Sequence, residues 1–208
     1  MAYFPMFINL ENVPVLIVGG GTTALRKAEK LSYFKPRLHV IALSYQPAML
    51  SFLNKHHYSY EERAFEKEDL EGMQMVIAAT NDASVNASIA FLAKAKHIPI
   101  NSVDDLDHCS FLFPSLYTNE DIVCGISSGG HSPVISQEIR KILEAQVPDD
   151  FGIINARLGK LRENVKKKGT MASRKAFYHQ VIDLLLEEPE MSEEALADYC
   201  ERYFQNED

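Results

Sequence analysis

The chain has 208 residues, 46% hydrophobic and 24% charged, which are globular values and enough for one ordinary domain with a smaller accessory unit. Acidic residues outnumber basic ones 29 to 21, for a net charge of −8. That balance argues against a general nucleic-acid partner, because a duplex needs Lys and Arg to neutralise its phosphates.

Met6 to Asn9 reads as a short edge strand, and Glu11-Asn12 as a turn. Val13 to Val18 is an apolar run that ends in glycines, as a strand buried on both faces of a parallel sheet does. After the glycines, Ala24, Ala28 and Leu31 recur at helical spacing, and Phe34-Lys35-Pro36 ends that helix. Leu38 to Leu43 is the second strand of the repeating pattern, and Pro47 to His56 a helix with its proline in the first turn. Ser59 to Arg63 predicts a short strand and Lys67 to Glu71 a loop or brief helix. Met75 to Ala79 is a third buried strand, Val85 to Lys96 a helix, and Pro99 to Val103 a fourth strand. Strands alternating with helices in this way predict a parallel sheet with crossover helices.

The pattern then changes. Phe111 to Pro114 and Asp121 to Ser127 read as strands with no long helix between them, suited to antiparallel pairing. Ser132 to Gln146 is helical, and beyond Val147-Pro148 only helical patterns remain. The expected fold is therefore α/β: a Rossmann-like parallel sheet over 1–112, a small α+β dimerisation region over 113–147 and a C-terminal helical domain over 148–208. The last part is split by charge. Residues 140–175 hold ten Lys/Arg and four acids, whereas 183–208 hold ten acids and one Arg.

Cys109, Cys124 and Cys200 are odd in number and none sits at C-x-x-C spacing, so no disulfide framework or zinc knuckle is indicated and a reducing cytoplasm is the expected setting. The amino terminus lacks a basic n-region and a long apolar stretch, and no apolar run approaches the ~20 residues needed to span a bilayer, so neither a signal peptide nor a membrane is expected.

The turn Gly19-Gly20-Gly21-Thr22-Thr23-Ala24 fits G-x-G-x-x-A, the pyrophosphate-binding turn of dinucleotide sites. In such a turn Gly19 permits the tight bend, Gly21 lets backbone approach the phosphates, and Ala24 lets the helix pack closely on its strand. The N–H groups and dipole at the helix start then favour the anion. The acid that usually ends the second strand and binds a ribose hydroxyl is missing: that position falls at Ala42-Leu43-Ser44. Thr80 and Asn81 follow the third strand at the same sheet edge, where two readings stand, a ligand contact or a polar helix cap. The fourth strand ends with Asn101 and leads to Asp104, where two readings stand: a carboxylate that takes a proton while hydride leaves to a cofactor, or a solvated turn acid. Asp107 and His108 read as weaker candidates on a polar loop. Ser127-Ser128-Gly129-Gly130-His131-Ser132-Pro133 offers hydroxyls and backbone N–H groups to an anion and also suits a capping loop, with His131 as a metal ligand, a proton shuttle or neither.

Taken in order, Val15 to Gly21 with Arg26-Lys27-Ala28, then Ala78 to Asp82, Asn101 to Asp104, Phe111 to Pro114 and Ser127 to Pro133 resemble the precorrin-2 dehydrogenase / sirohydrochlorin ferrochelatase family, which is also the amino-terminal module of sirohaem synthases. The resemblance covers about residues 4–175. It implies NAD-dependent oxidation of precorrin-2 to sirohydrochlorin and, in many members, insertion of Fe2+ or Co2+. It implies Asp104 as general base, Thr22, Thr23, Leu43 and Ser44 as cofactor contacts, and Asn101 and Ser128 as lining the tetrapyrrole pocket. Ser128 also matches a serine phosphorylated in some relatives. The resemblance further implies an interlocked homodimer. His131 departs from the small residue usual at its position, and the chain ends at Asp208 without a methyltransferase module. Precorrin-2 carries many carboxylates, and two readings stand for Arg157, Lys160 and Lys166 to Lys168: candidates for a positive region that meets them, or a solvated basic helix face, the commoner case. Two other readings share the glycine turn: a non-enzymatic dinucleotide-binding redox regulator, and a chelatase without dehydrogenase activity.

Overall fold

The computed structural model of the protein describes residues 3–103 and 105–205. These residues fall into two compact units. The first ends at Phe113 and includes Gly129–His131; the second takes Pro114–Ser128 and the chain from Ser132 onward.

In the first unit, β1 (Pro14–Val18), α1 (Thr22–Ser32), β2 (Arg37–Ala42), α2 (Pro47–His56) and β3 (Ser59–Glu62) alternate. A 3-10 turn (Lys67–Leu70), β4 (Met75–Ala78), α3 (Ala83–Ala95) and β5 (Ile100–Ser102) follow. The five strands form one parallel sheet in the order β3-β2-β1-β4-β5. The continuous apolar runs of β1 and β4 are explained by burial on both faces. Val15 and Ile17 pack with Ala24, Ala28 and Leu31 of α1, while Leu16 and Val18 pack with Ile89, Ala90 and Ala93 of α3. The edge strand β3, Ser-Tyr-Glu-Glu, is exposed throughout, and its acids discourage pairing with another chain. From β1 the chain winds outward to β3 and then returns to β4, so a topological switch point lies between the carboxyl ends of β1 and β4.

Two expected strands are not formed. Met6 to Asn9 has no ladder, and no strand precedes β1 among the described residues; the Asn9 side chain accepts from the Glu11 N–H and closes a turn there. Phe111 to Pro114 is also irregular. Phe111 and Phe113 are instead spent on the α1 face of the sheet, where they cover the core in place of a crossover helix. The strand begins only after Pro114, as β6 (Ser115–Asn119), and pairs antiparallel with β7 (Ile122–Ile126).

The second unit is this hairpin with α4 (Pro133–Gln146), α5 (Phe151–Val165), α6 (Met171–Glu187) and α7 (Glu193–Gln205). Phe177 is fully buried among Tyr199, Tyr203 and Phe204, with ring centroids 5.2 to 6.2 Å away. The charge split noted in the sequence has a structural cause: basic residues of α5 and its end meet acids of α7. Arg157 bonds Glu193 at 3.1 Å, Lys160 approaches the same carboxylate at 3.5 Å, and Lys168 reaches Glu201 at 2.6 Å. Arg157 is buried and also donates to the Pro189 carbonyl, so it is not a free cation for a carboxylate-rich substrate, contrary to expectation. Lys166 is paired with Glu163 at 2.6 Å. Among the described residues no helix is long and apolar enough to cross a membrane, and no three His, Cys, Asp or Glu side chains cluster to hold a metal.

Candidate functional site

The three glycines at the switch point do different work. Gly19 has φ +134°, and a Cβ on it would stand 2.3 Å from the Ala79 carbonyl oxygen. Its N–H donates to Ile41 at 2.8 Å while Ala79 N–H donates to Val18 at 2.8 Å, so the turn is clamped between neighbouring strands. A Cβ on Gly20 would stand 2.2 Å from the Ser44 carbonyl oxygen, and the Gly20 carbonyl accepts from Gln46 N–H at 3.0 Å. The pattern G-x-G-x-x-A leaves Gly20 unassigned, yet here it brings the end of β2 against the turn. Gly21 is the reverse case: its φ is −89°, and nothing lies within 4 Å of the position a Cβ would take. It caps α1 with no side-chain hydrogen bond among the described residues, which leaves the first-turn N–H groups without a cap from Gly21. Ala24 is fully buried against the sheet, as the motif requires. The open cradle at Gly21 fits a dinucleotide pyrophosphate.

Around it, the Thr22 hydroxyl donates to Gln46 Oε1 at 2.9 Å and Thr23 is exposed. Leu43 is 76% exposed and Ser44 is exposed beside it. On β3 next to them stand Glu61 and Glu62, with Glu62 opposite Ala42. The Arg63 guanidinium bonds Glu61 at 2.7 Å and Asp69 at 2.6 Å and holds the Asp69 carboxyl below the usual carboxylate range. The Tyr45 hydroxyl lies 2.6 Å from the Glu61 carbonyl oxygen, and burial pushes its pKa up to about 12.

After β4, Thr80 is tied down. Its N–H and hydroxyl both reach Asn86 Oδ1, at 3.1 and 2.7 Å, and Asn86 Nδ2 returns a bond to the Thr80 carbonyl at 3.1 Å. Asp82 is the N-cap of α3 and accepts from Ser84 and Val85 N–H; the Ser84 hydroxyl bond is the main cause of its lowered pKa. Asn81 is exposed between them. Asn86 was not visible as functional in the sequence; its signal was a polar residue on the buried stripe that continues to Ile89, Ala90 and Ala93.

Asn101 is 5% exposed and its amide is engaged on both sides. Oδ1 accepts from Lys27 Nζ at 3.0 Å, and Nδ2 donates to the Phe111 carbonyl at 3.1 Å. Lys27 also lies over the Phe113 ring, 4.1 Å from its centroid. The Cys109 thiol sits beside Ser102 N–H at 3.2 Å, and burial raises its pKa. Asn101 thus fastens the Phe111–Phe113 segment to α1 and β5, and Lys27, unassigned by sequence, completes that fastening. Asp104 lies outside the described residues. In the turn after it, His108 Nδ1 is 2.5 Å from Asp105 Oδ2. Gly129 and Gly130 both have positive φ, and a Cβ on Gly130 would be 2.8 Å from Leu106 Cδ1, so this glycine turn is seated on the Asp105–His108 turn. His131 is exposed at its end. Ser128 belongs to the second unit, where its hydroxyl accepts from Ser132 N–H at 3.1 Å and Ser132 in turn caps α4.

A family described as "Putative NAD(P)-binding" matches residues 6–115. A siroheme synthase of Vesicomyosocius okutanii is 34% identical over 202 residues, covering 95% of this chain and 43% of that protein. A siroheme synthase of Tolumonas auensis is 39% identical over 181 residues, covering 86% and 38%. The chain therefore spans less than half the length of these curated relatives. Among solved structures, one titled "SirC, precorrin-2 dehydrogenase" has a TM-score of 0.73 at 19% identity, covers 97% of this chain and all of that one, and shares the fold.

Proposed function

The chain belongs to that NAD(P)-binding family, and from this premise we propose that it oxidises precorrin-2 to sirohydrochlorin with NAD. The observation that carries the reading is the open cradle at Gly21, above an α1 start without a cap from Gly21, at the switch point of the sheet. Gly19, Gly21, Thr22 and Thr23 hold the pyrophosphate in this reading, Leu43 and Ser44 meet the adenosine ribose, and Thr80 and Asn81 border the rest of the cofactor. When bound, NAD+ supplies the hydride acceptor. Asp104 is the proposed base, and Asn101, Ser128, Gly129 and His131 the proposed substrate contacts. With its amide engaged, Asn101 acts on the pocket by holding its wall.

NAD is preferred over NADP for an electrostatic reason. Glu62 stands opposite Ala42 at the end of β2, and Arg63, whose backbone N–H donates to the Ala42 carbonyl, has its side chain already held by Glu61 and Asp69, so its charge is not left for a 2′-phosphate. Metal insertion, with Fe2+ or Co2+ as substrate, is a second activity of the proposed pocket. The assembly is a homodimer: Val134, Ile135, Ile139 and Ile142 leave α4 with an exposed apolar stripe, the kind of surface a second copy covers.

The test is NADH formation from precorrin-2, followed by absorbance with NAD+ and NADP+ side by side, and then with Fe2+ or Co2+ added. Turnover with NAD+ that Asp104→Ala slows without weakening NAD+ binding supports the reading. No NADH from the wild type refutes it, and a metallation rate no faster than the uncatalysed background removes the second activity alone.

A further inference from the structure

Gln46 stands where the chain passes from β2 into α2. It is the N-cap of α2, yet its side chain makes no cap bond to that helix. Its Oε1 accepts instead from the hydroxyl of Thr22, the first residue of α1, at 2.9 Å. Glutamine is a poor N-cap beside Ser, Thr, Asp or Asn, whose short side chains reach their own helix N–H groups, so the stability of α2 does not account for it. The stem of the residue is fixed as well. Its backbone N–H donates to the Gly20 carbonyl at 3.0 Å, and its carbonyl accepts from Met49 and Leu50 at 2.9 and 3.2 Å. Beside it, the Tyr45 hydroxyl lies 2.9 Å from the Val40 carbonyl oxygen and 2.6 Å from that of Glu61. A loop tied to β2, β3 and the glycine turn therefore presents Gln46 to the start of α1. The amide is planar, with an acceptor at one end and a two-hydrogen donor at the other. Oε1 is spent on Thr22, and Nε2 has no partner among the described residues. The Thr22 hydroxyl has given its hydrogen to Gln46 and keeps none for a ligand.

We propose that Gln46 Nε2 donates a hydrogen bond to a phosphate oxygen of the bound dinucleotide, beside the first-turn N–H groups of α1. This rests on the dinucleotide-dependent reading above. The N–H groups and dipole at the start of α1 favour an anion there. An amide locked against Thr22 adds a neutral donor at the same place, and a bond to a charged oxygen is of the stronger kind. Thr22 then has two roles: its N–H faces the phosphate, and its hydroxyl orients Gln46. NAD+ and NADP+ share the pyrophosphate, so this contact serves both alike, and the choice between them lies at Glu62 and Arg63.

Two measurements on the full chain test this: calorimetric affinity for NAD+ and for NADP+, and the thermal midpoint without ligand. Serine lacks the length to reach Thr22 but can cap its own helix, so Gln46→Ser is expected to keep or raise the midpoint. The same variant is expected to weaken both dinucleotides by one factor, about tenfold, the low end for a hydrogen bond to a charged group. Gln46→Glu keeps an acceptor for the Thr22 hydroxyl but puts a negative charge where the donor was. It is expected to lose more affinity than Gln46→Ser, by a margin that shrinks as salt is added. Gln46→Ser with wild-type affinity overturns the proposal and leaves the dehydrogenase reading standing. Gln46→Glu binding as tightly as the wild type does the same, and so does a loss in Gln46→Ser confined to NADP+, which belongs to a ribose contact. A loss of affinity matched by a fall in the midpoint of Gln46→Ser also overturns it, because the side chain then only supports the loop. A wild type that binds neither dinucleotide removes both readings together.

Discussion

The two units hold their parts by different means. In the first, the decisive contacts run from backbone to backbone. Gly19 touches Ala79, Gly20 touches Ser44, and hydrogen bonds from Gly19 and Gln46 close the turn on its neighbours. In the second, side chains decide: the aromatic cluster around Phe177 and the ion pairs between α5 and α7. Backbone contacts tolerate no added atom but are indifferent to charge. Side-chain contacts tolerate changes of shape at the rim but depend on charge, salt and pH. The open turn at Gly21 sits in the half held by backbone contacts.

Substitutions can break or sharpen that contrast. The largest effect is expected from Phe177→Ala, which removes a fully buried ring and costs about 3–5 kcal/mol. Hydrogen exchange should show protection lost in α5 to α7 and kept in β1 to β5; equal loss in both would break the contrast. Gly19→Ala should cost on the order of 3 kcal/mol, since the new Cβ meets a carbonyl oxygen at a φ that L-residues rarely adopt. Urea denaturation measures it. Asp69→Asn should cost about 2 kcal/mol, because one carboxylate serves both Arg63 and the Glu66 N–H.

The pH dependence of that term has a defined sign. Arg63 depresses the Asp69 pKa in the folded state, so its stabilisation is full above the unfolded carboxylate value and is lost as pH falls through the lower folded value. The wild type should therefore lose its advantage over Asp69→Asn as solutions become acidic. Gly21→Ala should change stability by less than about 1 kcal/mol, as its φ is ordinary and its Cβ space empty, yet weaken NAD+ binding measured by calorimetry. Ser102→Ala should stabilise by about 1 kcal/mol, because its buried hydroxyl has no partner among the described residues.

The first unit was largely legible in the sequence because its periodicities are strong. Runs such as Val15 to Val18 and Met75 to Ala78 are buried on both faces, and glycines punctuate them where the chain must turn. Met6 to Asn9 misled because apolar content alone does not supply a pairing partner. Phe111 to Pro114 misled because aromatic residues that cover a sheet face resemble those that build a strand. At the site, Gly19, Gly21 and Ala24 were readable from spacing. Gly20, Lys27 and Asn86 were not, since each acts on a residue distant in the chain: Ser44, Asn101 and Thr80. The excess of base over acid in 140–175 suggested a substrate surface, but the acids that meet it lie in α7, where no local pattern links them.

The strand order has a consequence for how the chain is made. β1 is the central strand, and it leaves the ribosome first. Its edge toward β2 is filled after about twenty residues, but the other waits for β4, where Val15 pairs with Met75, sixty positions on. At the usual pace of synthesis, ~5–20 residues per second, that edge stands open for about 3–12 seconds. During that interval a wholly apolar strand with unpaired N–H and C=O groups is the segment a chaperone would be expected to shield.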